Sequence, residues 1–142
     1  MGELSILLVE DEASLREIVG DALRDAGHQV DEAAGGAQAL ESLGSDARYD
    51  VLLTDMGMPG MSGMELAMEA VKLRPGIAVI IASGFAKAQL PEFPAGFIYF
   101  PKPYRVRQLE DLFAELASSR GSPPATQAAT DRTTPAAGSS SA

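Results

Sequence analysis

Residues 51–66 read Val51-Leu52-Leu53-Thr54-Asp55-Met56-Gly57-Met58-Pro59-Gly60-Met61-Ser62-Gly63-Met64-Glu65-Leu66. An apolar run ends here in a carboxylate, crosses a Gly/Pro-bearing loop, and meets the Ser-x-x-Glu pattern of a capping box, which opens a helix. A run this continuously apolar suits a strand covered on both faces, and strand-then-helix is the unit of a parallel sheet. Outward from it, Leu4 to Val9, Ile77 to Ser83 and Phe97 to Phe100 are similar runs, while Gln29 to Ala33 is more polar and suits an edge strand. The segments between carry helical stripes: Leu15, Ile18, Val19, Ala22, Leu23 and Ala26; then Ala37, Leu40 and Leu43; then Leu66, Ala67, Ala70 and Val71; last Val106, Leu109, Leu112, Phe113 and Leu116. Gly27 is placed to stop the first helix and Pro75 the third. These elements predict an α/β fold with five strands and four clear helices. A further helix between Ser83 and Phe97 is expected to be stunted or irregular, because Pro91 and Pro94 interrupt it.

The chain has 142 residues and 46% hydrophobic content, enough for one domain with a core. Eleven basic against twenty acidic residues give a net charge of -9, so a nucleic-acid partner would be met against repulsion and is not expected. Cysteine is absent, which excludes disulfides and thiolate metal sites. No apolar run reaches the ~18 residues of a membrane span, and the first residues lack a signal-peptide pattern, so the expected location is cytoplasmic with no membrane partner. Residues 121–142, rich in Pro, Ser, Thr, Ala and Gly, have no aliphatic residue larger than Ala and are expected to form a disordered tail, leaving 1–120 as the folded domain.

In an open parallel sheet the carboxyl ends of the strands share one edge, where ligands bind. That edge would receive Glu10 and Asp11 from the first strand, Asp55 from the third, Ser83 from the fourth and Lys102 from the fifth. Three converging carboxylates repel one another unless a divalent cation with oxygen ligands neutralises them, which points to Mg²⁺, with Mn²⁺ as a substitute. Magnesium keeps positions for phosphate oxygens, and Lys102 would balance phosphoryl charge.

The strings LLVEDE, LLTDMGMPGMSGMEL, IIASGF and YFPKPY together resemble the receiver domain of two-component response regulators, from about Ser5 to Leu116. The resemblance implies a doubly wound, flavodoxin-like sheet of order 2-1-3-4-5. It implies that Asp55 takes a phosphoryl group from a phosphohistidine, that Glu10, Asp11, Asp55 and the Gly57 carbonyl hold the metal, and that Ser83 and Lys102 contact the phosphoryl group. It also implies a cis Lys102-Pro103 bond and a switch in which Ser83 and Tyr99 move together. Partners would be a sensor histidine kinase or histidine phosphotransfer protein upstream and a protein target downstream. With no output domain after residue 120, the signal is expected to leave by protein contact or onward phosphotransfer. The domain would be a substrate and slow self-phosphatase, not a conventional enzyme.

Taken singly, the same residues have plainer roles: Glu10, Asp11 and Glu12 at a solvated helix start, Asp55 in a turn, Ser83 at a strand end, Lys102 on the surface. His28, following a helix stop without a partner motif, is expected at the surface. Three rival functions carry less support. A constitutive interaction module would not need the full residue set. A haloacid-dehalogenase-type phosphatase resembles D-x-D-x-T, whereas Met56 and Gly57 follow Asp55. A flavodoxin-like FMN site would meet phosphate repulsion from Glu10-Asp11-Glu12.

Overall fold

The computed structural model describes residues 3–84, 94 and 96–120. The expectations for residues 85–93 and for the tail from 121 to 142 lie outside the described residues. The element order is β1 (Ser5–Val9), α1 (Ala13–Asp25), β2 (Gln29–Ala33), α2 (Gly36–Leu43), β3 (Val51–Asp55), α3 (Gly63–Leu73), β4 (Ala78–Ser83), β5 (Phe97–Pro101) and α4 (Val106–Arg120). By contacts the described chain forms two units, Glu3–Leu112 with the whole sheet and Phe113–Arg120 with the end of α4.

All strand pairs are parallel and the sheet order is β2-β1-β3-β4-β5. The order reverses between β1 and β3, so the ends of those two strands form the switch point where a crevice opens. Register aligns that edge: Val9 pairs with Thr54, Asp55 with Ala82, and Ser83 with Pro101.

Side chains alternate across a strand, and the burial divides accordingly. Leu7, Val9, Leu52, Val79 and Ile81 join Ala39, Leu43, Leu66, Ala67 and Ala70 of α2 and α3 in one buried cluster. The alternate residues Ile6, Leu8, Val51, Leu53 and Ile80 are equally buried on the other face, as are Val19 and Leu23 of α1. Each buried Val, Leu or Ile side chain among them contributes about 1.5–3 kcal/mol of transfer free energy. The capping box of α3 forms in full: Glu65 N–H donates to Ser62 Oγ at 3.1 Å, and Ser62 N–H donates to the Glu65 carboxylate at 3.0 Å. Gly27 follows α1 with φ of 99°, a left-handed conformation that suits glycine at a helix end.

Three sequence expectations are corrected. The α1 stripe is narrower than predicted: Ile18 is 56% exposed and Ala26 is exposed, whereas Val19, Gly20 and Leu23 are buried. On α2, Ala37 is exposed and Ala39 takes the inward position. Gly20 is a helix-interior glycine, which costs about 1 kcal/mol relative to alanine. A Cβ there would lie 2.6 Å from Glu32 Oε2, so a larger residue would have to displace that carboxylate.

The third correction is His28, which is buried rather than at the surface. It lies at the amino-terminal edge of the sheet, and its Nδ1 accepts the Leu4 N–H at 3.1 Å. That bond requires an unprotonated Nδ1. Burial lowers the His28 pKa from its ordinary value, with Glu3 partly opposing the shift. A depressed folded-state pKa means that the unfolded chain binds the proton first. Stability from this residue is therefore complete above about pH 6.5 and is lost as pH falls from there toward the folded-state pKa. Denaturation midpoints between pH 8 and pH 5 are expected to fall in wild type and to fall less in His28→Asn, whose amide oxygen can still accept from Leu4. Equal slopes in the two proteins would contradict this role.

Candidate functional site

The loop after β1 is held at several points. Glu10 N–H donates to the Ala33 carbonyl at 3.1 Å, and Glu12 N–H donates to Glu10 Oε2 at 3.1 Å. Glu10 is buried while Asp11 is exposed. Across the switch point, Asp55 ends β3 and its backbone is fixed by the next residue, whose N–H donates to Ala82 O at 2.8 Å. The helix after it is drawn close: Gly63 N–H donates to Met56 O at 2.8 Å. A Cβ on Gly63 would lie 2.9 Å from Met56 Cα and would collide with the Asp55 carbonyl oxygen. Glycine is thus required at this junction by close approach.

The structure brings together the carboxylates of Glu10, Asp11 and Asp55, with one oxygen from each within 4.8 Å of the others. Lys102, just past β5, reaches in with Nζ 2.7 Å from Asp55 Oδ1 and 3.8 Å from Glu10 Oε1. Its own N–H donates to the Ser83 carbonyl at 2.8 Å, which ties the ends of β4 and β5 beside the cluster. The Lys102-Pro103 peptide is cis. Ser83 is buried at the end of β4, Gly57 is exposed two residues beyond Asp55, and Tyr99 is half-buried on β5 opposite Ile81. The rings of Phe100 and Tyr104 meet at 5.0 Å, and Tyr104 is half-buried.

The electrostatics follow from three carboxylates facing one ammonium. Burial pushes the Glu10 carboxyl up; the Glu12 N–H and Lys102 oppose this, while Asp55 and Asp11 add to it. Burial alone would lower Lys102, but its hydrogen bond to Asp55 and the charges of Asp55 and Glu10 outweigh it, so the ammonium is held above its ordinary pKa. Tyr104 is raised, first by burial, with Lys102 opposing and the two carboxylates adding. Lys102 leaves part of the negative charge uncompensated. An all-oxygen donor set of this kind fits a hard divalent cation.

The residues that reading the chain missed are the supports. Arg16 Nη1 donates to the Glu10 carbonyl at 2.7 Å, a contact signalled only by its position one turn into the helix that follows the acidic loop. The Glu12 N–H bond to the Glu10 side chain has no residue-type signature at all. Opening beside the cluster is a cavity of about 440 Å³ lined by Leu15, Gly84, Lys102, Pro103 and Tyr104.

Over 121 residues the chain is 38% identical to the sensor kinase CckA of Brucella abortus (strain 2308), covering 81% of this chain but only 13% of that protein. It is 36% identical over 107 residues to the response regulator receiver protein CpdR of the same organism, covering 73% of this chain and 88% of CpdR. Among solved structures, the response regulator protein TrrA of Thermotoga maritima, in complex with Mg²⁺-BeF, superposes with a TM-score of 0.70 at 29% identity, covering 80% of this chain and 98% of that one. The family described as the response regulator receiver domain matches residues 6–112, and the chain belongs to it.

Proposed function

We propose that Asp55 is the phosphoacceptor of a two-component or phosphorelay system, charged from a phosphohistidine on a sensor histidine kinase or histidine phosphotransfer protein. The observation that carries this reading is the Asp55 carboxylate, held 2.7 Å from Lys102 Nζ and grouped with the carboxylates of Glu10 and Asp11. An Asp55 carboxylate oxygen forms a bond to phosphorus while the phosphorus–nitrogen bond of the donor breaks, its electron pair returning to the imidazole. Lys102 neutralises charge on the phosphoryl oxygens, and the Ser83 hydroxyl donates a hydrogen bond to one of them. Catalysis of this kind is positioning and charge neutralisation.

Glu10, Asp11, Asp55 and the Gly57 carbonyl would hold Mg²⁺, or Mn²⁺ in its place, which when bound offsets the charge of carboxylates and phosphoryl oxygens alike. The TrrA complex with Mg²⁺-BeF supports this by likeness. The acyl phosphate carries up to about two negative charges beside Ser83 and Lys102 in place of the single charge of the carboxylate, and movement of Ser83 and Tyr99 passes the change to a downstream protein. Hydrolysis of the acyl phosphate by water resets the domain.

Intact mass after incubation with acetyl phosphate tests the reading. Wild type is expected to gain one phosphoryl group with Mg²⁺ and none in chelator; no gain in either condition would overturn it. The metal assignment is checked separately by melting. Mg²⁺ at about 100 times its dissociation constant should stabilise wild type by about 2.7 kcal/mol, and Asp11→Ala should lose most of that response. A wild-type melting temperature indifferent to Mg²⁺ would contradict the assignment.

A further inference from the structure

The acidic loop is tied to the edge of the sheet by a charged clamp that crosses α1. Besides its bond to the Glu10 carbonyl, Arg16 places Nε 3.6 Å from Glu32 Oε1 on β2. The other oxygen of Glu32 lies 3.0 Å from Arg24 Nη1, and Arg24 in turn donates to the Val30 carbonyl at 2.9 Å and sits 3.5 Å from Asp21. The Glu32 carboxylate reaches both arginines by passing over Gly20, where a Cβ would lie 2.6 Å from Glu32 Oε2. A glycine, poor for the helix interior, thus stands where this carboxylate crosses. Arg16 and Arg24 together are balanced by Glu32 and Asp21, so the clamp adds little net charge to the site.

We propose that Arg16, anchored by Glu32, is a positioning residue for the metal-holding loop and sets its affinity for Mg²⁺. The inference rests on the metal assignment made above. Glu10 would carry its ligating oxygen from a backbone fixed on both sides: its N–H by Ala33 O and its carbonyl by Arg16. Groups that orient a ligand from behind typically alter metal affinity about 10–100-fold when removed.

The sign of the effect separates positioning from simple electrostatics. Arg16 is a cation near three carboxylates, so by charge alone its removal would tighten Mg²⁺ binding. By positioning, removal weakens it. Mg²⁺ titrations by calorimetry on the full chain, below the melting temperature of each protein, are expected to show Arg16→Gln binding about tenfold more weakly than wild type. Glu32→Gln should lose affinity in the same direction but by less, and Arg16→Lys should recover part of it, because one ammonium cannot span both partners. At saturating Mg²⁺, Arg16→Gln should regain most of the wild-type rate of phosphorylation from acetyl phosphate. Unchanged or tighter Mg²⁺ binding by Arg16→Gln overturns the proposal, and should that variant not fold, unchanged binding by Glu32→Gln does so. Wild type failing to bind Mg²⁺ would overturn the metal assignment itself, a result distinct from equal binding by wild type and variants.

Discussion

Asp55→Asn is expected to slow phosphorylation by more than about 10³-fold, the scale on which removal of a nucleophile acts, while leaving the fold intact. Asparagine matches aspartate in shape and keeps one oxygen for Lys102, but its amide has no lone pair of comparable nucleophilicity. The backbone at this position is fixed independently of the side chain, through the β3–β4 pairing of Asp55 with Ala82 and the Met56 N–H bond to the Ala82 carbonyl. Lys102 would retain Glu10, 3.8 Å away. Intact mass against time with acetyl phosphate and Mg²⁺ gives the rate, and a thermal melt gives the fold. Wild-type kinetics in the variant would remove Asp55 from the mechanism.

Gly63→Ala should have the largest effect on stability outside the apolar core. The atoms that a Cβ would meet, the Asp55 carbonyl and Met56 Cα, are all backbone, so no flexible side chain can yield. Relief requires α3 to move away from the end of β3, which stretches the Gly63 N–H bond to Met56 O and disturbs the α3 start that Ser62 and Glu65 cap. Overpacking of this sort costs about 1–3 kcal/mol. The displacement also reaches Asp55 directly, and a shift of about 1 Å at a reacting group can cost about 100-fold in rate. Urea midpoints should fall and phosphorylation should slow together. A variant as stable and as reactive as wild type would mean that the junction has room that the structure does not show.

The β3 segment was legible because three independent signals coincide in it. Its run is apolar on both faces, its loop carries Pro59 and Gly60, and Ser62 and Glu65 stand three apart. From strand ends alone, parallel topology then places Glu10, Asp11, Asp55, Ser83 and Lys102 at one edge, and the described structure does bring three of their carboxylates and the ammonium together. What stayed hidden depends on tertiary distance. Helical periodicity marks Ile18 and Val19 alike, yet only packing against the sheet decides that Val19 is buried and Ile18 is not. Nothing local tells that His28 turns inward to accept from Leu4, or that Arg16 reaches Glu10's carbonyl and Glu32 together. Gly20 and Gly63 look alike in the chain as helix glycines, and what a Cβ would meet at each, the end of a carboxylate side chain in one case and strand backbone in the other, exists only in three dimensions.

Chemical trapping of the phosphorylated side chain tests the central claim most directly. Borohydride reduces an aspartyl phosphate to homoserine, and peptide mapping then locates the residue. After phosphorylation in the presence of Mg²⁺, reduction is predicted to convert Asp55 to homoserine and to leave Glu10, Asp11 and Glu12 unchanged. A phosphorylated protein with Asp55 intact, or with the reduced residue elsewhere, would contradict the account.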